Sequence, residues 1–153
     1  MSSLQALSVA VDVAARKRDE ARQTVSERLR SQQAAQAQMQ QLEGYVREMQ
    51  QRWGASEGCS VQPELMLHQY QFQNRIEHAI GVQAQVLSDL GLRLEAAQKA
   101  LMACELRLSS LVKVVDLRRR TQARTLVQRE QKETDERAAL QFYHRSFGLR
   151  LEE

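Results

Sequence analysis

The stretch of sequence that decides the fold is residues 87–115, LSDLGLRLEAAQKALMACELRLSSLVKVV. Apolar side chains recur in it at alternating spacings of three and four residues, which are the a and d positions of a heptad repeat. All nine of these positions are apolar, and we call the row that they form the seam: Leu87, Leu90, Leu94, Ala97, Leu101, Cys104, Leu108, Leu111 and Val115. The pattern predicts a long helix that packs along its seam against a partner helix.

The seam stops at Val115, although helix-forming residues continue beyond it. A helix that goes on after its apolar row has ended has extended past its partner. We therefore expect an overhang at the C-terminal end of this helix, and we take it as the main indication of function. The next positions at the same spacing are all polar: Arg118, Gln122, Thr125, Arg129 and Lys132.

The N-terminal part of the chain carries a second heptad pattern, which starts at Leu4 and predicts a helix over about residues 3–53, capped by Ser2 or Ser3. Three of its seam positions are polar, at Arg18, Arg28 and Gln32. Polar seam residues fix the register of a coiled coil and lower its stability. The apolar positions are Leu4, Leu7, Val11, Ala14, Ala21, Val25, Ala35, Met39, Leu42, Val46, Met49 and Trp53.

Between the two patterns, residues 54–62 (GASEGCSVQ) have two glycines and no periodicity, and Pro63 then starts the next helix at its favoured first position. A short connection makes two long helices antiparallel neighbours. The predicted fold is one all-α domain, an antiparallel coiled-coil hairpin with a turn at 54–62, a second, overhanging helix over about 63–145 and a flexible tail at 146–153. A turn near residue 58 places Leu4 opposite residue 112.

Two further features depend on residues that the regular pattern does not place. Near the turn, one register of apolar residues gives way to another, which predicts a local stutter in the heptads; the registers are Leu65, Phe72, Ile76 and Ala79, then Ile80, Leu87 and Leu94. The stutter should leave apolar surface uncovered, with Phe72 near Gly44 and Tyr45.

The tail also ends in apolar residues that are either disordered or a partner contact: Phe142, Tyr143, Phe147, Leu149 and Leu151.

Composition indicates a long helical protein, because only 5% of the 153 residues are aromatic and one is proline. No apolar run approaches the roughly 18 residues of a membrane helix, and the N-terminus does not look like a signal segment, so we expect a cytoplasmic protein. The two cysteines, Cys59 and Cys104, are interpreted as reduced and structural.

The net charge of +3 is concentrated in one place. Residues 113–129 contain one acidic side chain, Asp116, and six basic ones, which gives a local excess of five positive charges. Since salt screens charges beyond about 8 Å, this local excess determines what the surface attracts. We call the six basic residues the basic cluster: Lys113, Arg118, Arg119, Arg120, Arg124 and Arg129.

No pattern indicates catalysis, a cofactor or a metal. His68, His78 and His144 do not share a helix face at ligand spacing. Ser110 and Lys113 match a Ser-x-x-Lys pair without the other motifs that such enzymes need. The glycines at 54–58 lack the lysine of a phosphate-binding loop, and a two-helix coil offers no pocket that excludes water. We predict a protein that is not an enzyme and has no small-molecule substrate.

Four short patterns, in this order, resemble the FliJ family of the bacterial flagellar export apparatus. Helix 1 opens with Leu-x-x-Leu-x-x-x-Val at residues 4–11, and Leu-x-x-Tyr at 42–45 precedes the turn. Residues 72–80 read Phe-x-x-x-Ile-Glu-x-Ala-Ile, and 130–138 read Glu-Gln-Lys-x-x-Asp-Glu-x-Ala. The likeness spans almost the whole chain. Met49 departs from it, since a second tyrosine is expected there.

The resemblance implies a stalk, similar to the central coiled-coil subunit of rotary ATPases, that inserts into the hexameric flagellar export ATPase. It further implies contacts with the cytoplasmic domain of the export gate protein and with substrate chaperones, on the cytoplasmic face of the inner membrane. The resemblance carries the gate contact to Phe72, Ile76 and Ala79, to which we add Tyr45. The residues expected to contact the ATPase come from the overhang and the N-terminus: Arg118, Arg119, Arg120, Arg124, Arg129, Lys132, Leu4 and Leu7.

Two alternatives stay open at the level of sequence. The stalk of a virulence-type injectisome shares the same architecture. A basic coiled coil could also bind nucleic acid, although residues 113–129 hold no aromatic side chain that could stack on bases.

Overall fold

A computed structural model of the chain describes residues 3–54 and 62–151 and contains two helices. Helix α1 runs over Ser3–Gly54 and helix α2 over Pro63–Leu151. The predicted boundaries hold to one residue for α1 and at the start of α2, whereas α2 ends six residues beyond the expected 145. Residues 55–61 with Cys59, Ser2, and residues 152–153 of the expected tail lie outside the described residues.

The start of α2 follows from its sequence. The carbonyl oxygen of Gln62 accepts hydrogen bonds from the amides of Leu65, at 3.0 Å, and Met66, at 3.2 Å. Pro63 has no amide hydrogen to leave unsatisfied in the first turn, and its ring fixes a backbone angle that suits a helix.

The chain divides into two compact units, which are described separately: a central unit, residues 16–105, and a terminal unit, residues 1–15 and 106–153. In the central unit, α1 and α2 pack antiparallel. The side-chain amide of Gln83 donates to the carbonyl oxygen of Ala35 at 2.9 Å, and an exposed ion pair joins Arg22 to Glu105 at 3.7 Å. The buried residues of this unit are Ala35, Met39, Ile76 and Leu94.

Burial in the central unit follows the predicted seam of α1 closely. Every described seam position of α1 between 18 and 49 is buried or half-buried, including the polar Arg18, Arg28 and Gln32. Arg18 reaches along its own helix to the carboxylate of Asp19 at 2.9 Å, so its charge stays at the edge of the seam. The side chain of Trp53 lies outside the description.

The predicted stutter in α2 is wrong. Between Gln69 and Leu94, an unbroken alternation of four and three joins eight of the less exposed positions, three of them glutamines: Gln69, Gln73, Ile76, Ile80, Gln83, Leu87, Leu90 and Leu94. Ala79 and Gly91, each next to one of these positions, are also half-buried. The sequence pattern misled because it counted only apolar residues. Gln83 fits the seam because it faces the small Ala35 and bonds to its carbonyl oxygen as well as to Gln38. Leu65 and Phe72, assigned to a separate register, are exposed.

In the terminal unit, the N-terminal residues of α1 pack on α2 up to the point where the seam ends. Ala14 and Val115 are buried, and Leu4, Leu7 and Val11 are half-buried. The guanidinium of Arg118 donates to the hydroxyl oxygen of Ser3 at 3.0 Å, so α1 begins beside Arg118. Ser8 and Val11 share a groove with Val112 and Val115, so the pairing that was expected to place Leu4 opposite residue 112 is shifted along α2. The seam itself ends at Val115 as predicted.

Beyond Arg119, no described residue of the chain covers α2. Every described residue from 116 to 151 is exposed, although the helix continues unbroken to Leu151. We call residues 120–151 the overhang; at about 1.5 Å per residue it is roughly 48 Å long. The longer second helix that the sequence predicts, with an uncovered C-terminal part, is confirmed.

Glycines inside the helices give the first testable prediction. A Cβ atom added at Gly81 would meet no atom within 4 Å, so alanine fits there without strain. Because glycine costs about 0.5–1 kcal/mol relative to alanine inside a helix, Gly81→Ala should raise the free energy of unfolding by that amount. Thermal unfolding followed by circular dichroism measures it. Gly148→Ala, equally unhindered but in the overhang, is the matched control and should leave the cooperative transition unchanged. A neutral or destabilising Gly81→Ala contradicts the prediction.

Candidate functional site

The basic side chains around the start of the overhang point in all directions from the helix axis. Successive residues of an α-helix are rotated by about 100°, so the consecutive Arg118, Arg119 and Arg120 lie on three different sides. Arg124 lies on the side of Arg120, and Arg129 on that of Arg118. Lys132 lies between Arg124 and Arg118 when the helix is viewed along its axis. The cations thus encircle the helix, and all of them are exposed.

The basic residues differ in what they contact. Arg118 bonds to Ser3, and Arg119 lines a shallow groove with Ser8 and Val11 of α1. Within the described part of the chain, no hydrogen bond or ion pair engages the remaining four: Arg120, Arg124, Arg129 and Lys132. These four cations are available to a partner without breaking any contact of the chain itself.

The other polar groups of this stretch are satisfied within the helix. The hydroxyls of Thr121, Thr125 and Thr134 each donate to the carbonyl oxygen four residues earlier, at 2.8–2.9 Å. Such bonds keep the short threonine side chains close to the backbone. The long cationic side chains are therefore the groups that reach outward here.

Leu4 and Leu7, expected to contact the ATPase, are half-buried seam residues of the terminal unit. Since they pack towards α2, their first effect is to hold the start of α1 in place. Any direct contact with a partner would use only the exposed part of each side chain.

The residues expected to bind the export gate differ in how far they are exposed. Phe72 and Tyr45 have 53% and 54% of their surface exposed. Ile76 is only 7% exposed in the seam, and Ala79 is half-buried. Ile76 supports the helix pair, whereas Phe72 and Tyr45 are open to a partner.

Phe72 was expected to lie near Tyr45. No ring contact joins Tyr45 to Phe72 in the described residues. Instead, the neighbouring Gln73 shares a shallow depression with Val46, Met49 and Gln50. The offset in pairing between the helices explains the difference, because it places the residues near Phe72 opposite a later part of α1 than expected.

The last part of α2 was expected to be a flexible tail and is instead helical as far as Leu151. Its aromatic side chains are organised, since the rings of Tyr143 and Phe147 stack with centroids 6.1 Å apart, and His144 packs edge-on against Tyr143 at 6.4 Å. The signal that could have indicated this was a helical spacing of apolar residues at 140, 143, 147 and 151. We call residues 138–151 the tip.

The described residues contain neither a metal-binding cluster nor a membrane-spanning segment. Among residues 3–54 and 62–151, no three His, Cys, Asp or Glu side chains come together to hold a metal ion. Neither helix, over the range that is described, contains a segment long and apolar enough to cross a bilayer. Cys104 is a free thiol that is half-buried in the seam.

Comparison with protein families gave one result that spans the chain. The sequence pattern of the family described as "Flagellar FliJ protein" matches residues 3–146. The matched range includes α1, the seam of α2 and the overhang as far as the first half of the tip. No curated protein and no solved structure matched the chain.

The different burial of Ile76 and Phe72 gives the second prediction. Ile76→Ala removes a seam side chain and leaves a cavity, so it should lower the free energy of unfolding by about 2–4 kcal/mol. Phe72→Ala should change it by less than about 1 kcal/mol, because half of the ring is already in water. Chemical denaturation followed by circular dichroism compares the two variants. Equal destabilisation would show that Phe72 is also part of the packed seam.

Proposed function

Because the chain belongs to the FliJ family of flagellar proteins, we propose that it is the stalk of the flagellar export ATPase: its overhang inserts into the hexameric ring. Membership of the family supports a non-enzymatic role of stalk or chaperone type in flagellar protein export. The match to a flagellar family favours the flagellar apparatus over a virulence-type injectisome.

The observation that carries the proposal is the exposure of the overhang on every side, together with cations that encircle α2 from Arg118 to Lys132, where its cover by α1 ends. A helix that packs against one surface needs one complementary face, and its other faces are free to vary. A ring surrounds what enters it, so it can meet charges that point in all directions. The arrangement around Arg118, Arg119 and Arg120 therefore fits a ring better than a flat partner.

Electrostatics supports the same interpretation. The local excess of positive charge would attract an acidic lumen and increase the rate of association, an effect that does not require deep burial of the arginines. Arg120 and Arg124 give up no internal contact when they bind. The overhang alone is marginal in water, and the surrounding ring would stabilise it.

Nucleic acid is a poorer partner for this surface. A duplex or a single strand follows one groove or stripe of cations, whereas these cations surround the helix, and residues 113–129 contain no aromatic ring for stacking. Four acidic residues follow directly, and they would repel phosphates: Glu130, Glu133, Asp135 and Glu136.

The contact with the export gate is proposed at Phe72, with Tyr45 as a further exposed ring. Both side chains are large, half in water and held on rigid helices, which is the form that binding anchors commonly take. Ile76 is interpreted as the seam residue that keeps Phe72 in position, and Ala79 as a half-buried neighbour. Escort of substrate chaperones and a place on the cytoplasmic face of the inner membrane complete the proposal and rest on the family resemblance.

The third prediction tests the ring contact. The double variant Arg120→Glu, Arg124→Glu should reduce the association rate with the purified hexameric ATPase at least about tenfold at low salt, since attraction becomes repulsion. The hairpin should stay folded, because neither arginine contacts it. The matched control is Arg30→Glu, Arg93→Glu, which makes the same change of net charge at exposed positions of the central unit and should bind normally. Equal loss in both variants, or none in the first, contradicts the ring contact.

The fourth prediction concerns the gate. Phe72→Ala, which should remain folded, is expected to weaken binding of the cytoplasmic gate domain by about 1–3 kcal/mol while leaving ATPase binding unchanged. Calorimetric titration measures both affinities. Undiminished gate binding by this variant removes Phe72 from the proposed contact.

A further inference from the structure

Two rows of residues with the same heptad spacing overlap in the first part of α2, and the structure buries one of them. The observed row passes through positions 69, 73, 76, 80, 83, 87 and 90. The second row passes through 69, 72, 76, 79, 83, 86 and 90, and it contains apolar residues that suggested a stutter. The rows share positions 69, 76, 83 and 90. At the others, the observed row has Gln73, Ile80 and Leu87, and the second row has Phe72, Ala79 and Val86.

The two sets of residues by which the rows differ are similar in apolar content. Each set has two large apolar side chains and one residue that buries little apolar surface, Gln73 in the observed row and Ala79 in the second. The second set also borders the seam, because Ala79 is half-buried and Val86 is 39% exposed. Since burial stabilises roughly in proportion to apolar area, packing gives neither row a strong advantage.

A small rotation of α2 about its own axis would exchange one row for the other. Successive residues lie about 100° apart around a helix, so a rotation of about 50° moves Gln73 out of the seam and Phe72 into it. The shared positions stay at the seam, and among them is Gln83, whose amide donates to the carbonyl oxygen of Ala35. The rotation therefore keeps the lengthwise alignment of the two helices.

The rotation is limited to the part of α2 before Leu94. Continued beyond Leu90, the second row would replace the buried Leu94 with the charged Arg93. The observed register is therefore required from Leu94 onwards. Gly91 lies where the two registers would join, and since a glycine lowers the stability of a helix interior, a local change of twist costs least there.

We propose that α2 rotates between these two registers and that the rotation regulates the contact with the export gate. In the register of the structure, Phe72 is half-exposed and can bind the gate domain. In the second register, Phe72 lies in the seam and cannot bind. The inference rests on the proposed gate contact and adds its regulation. The apparent affinity for the gate domain is then proportional to the fraction of chains in which Phe72 is exposed.

The first experiment detects the two registers in the full-length chain without a partner. Fluorophenylalanine replaces phenylalanine, and the fluorine NMR signal of Phe72 is identified by its loss in Phe72→Leu. The change of this signal between light and heavy water reports the exposure of the ring. The exchange variant, Ala79→Ile with Ile80→Ala, moves an isoleucine from the observed row to the second without changing the composition. It should raise the ratio of buried to exposed Phe72 at least about tenfold.

Adding Gln73→Leu to the exchange variant should return Phe72 to the exposed state, because the new leucine lies in the observed row only. The matched control is Gln69→Leu, the same change at a position that belongs to both rows, and it should leave the ratio unchanged. Ile76→Ala, also at a shared position, controls for a general loosening of the helix pair, since Ile76 is only 7% exposed. Equal burial of Phe72 in Ile76→Ala and in the exchange variant would contradict the two registers. Circular dichroism confirms that each variant is helical.

The second experiment measures the regulation by calorimetric titration with the purified cytoplasmic domain of the gate. The exchange variant should bind more weakly, by the factor by which its exposed fraction of Phe72 falls. Addition of Gln73→Leu should restore the affinity, whereas addition of Gln69→Leu should not.

The outcomes separate this inference from the proposed function. If Phe72 gives the same exposed signal in all variants, the second register is wrong, while Phe72→Ala still decides the gate contact. If the exchange variant buries Phe72 but binds the gate domain undiminished, the rotation does not regulate the contact and the inference is again wrong. If the unmodified chain does not bind the gate domain, the proposed contact falls and its regulation with it, while the stalk function is unaffected.

Discussion

The structure depends on one constraint: the apolar row of a helix must be covered by another helix, and α1 covers α2 only as far as the seam of α2 extends. The seam of α2 and the N-terminus of α1 end together, at Val115 and at the bond between Ser3 and Arg118. Past that point the contacts of the described residues of α2 are those within the helix itself. Such a helix is marginal in water, and the proposed contact with a ring would stabilise it as far as Leu151.

The overhang is not uniform, because different kinds of side chain follow one another along the helix. Cations surround the first part, acidic residues follow at 130–136, and aromatic side chains on two sides form the tip. Charged and apolar side chains are thus placed one after the other along a single helix. The half-buried Leu4 and Leu7 contribute by holding the start of α1 against α2 where the overhang begins.

Heptad spacing predicted most of the fold because it records burial directly: the fold class, the extent of α1, the start of α2 and the end of the seam could all be read from it. Three features could not. Glutamines at 69, 73 and 83 occupy the seam, and the apolar pattern could not reveal them, because Gln83 is accommodated through a bond to the carbonyl oxygen of Ala35. The pairing offset depends on the path of the connection, which has no periodicity. The helical structure of residues 146–151 was not predicted, because the apolar side chains of this segment have no cover within the chain. Of the candidate sites, the basic cluster could be located from the excess of basic residues in the sequence. The burial of Ile76 beside the exposed Phe72 could be seen only from the packing of the helices.

The central claim, that α2 is covered up to its seam end and uncovered beyond it, is tested most directly by hydrogen–deuterium exchange of the isolated protein, read out peptide by peptide. Amides of residues 87–115 should exchange only through cooperative opening of the helix pair, whereas those of residues 120–151 should exchange orders of magnitude faster through local fraying. Addition of the ATPase hexamer should then slow exchange in the second range. Equal protection of both ranges in the isolated chain would show that something in the protein itself covers the overhang, and would contradict the account.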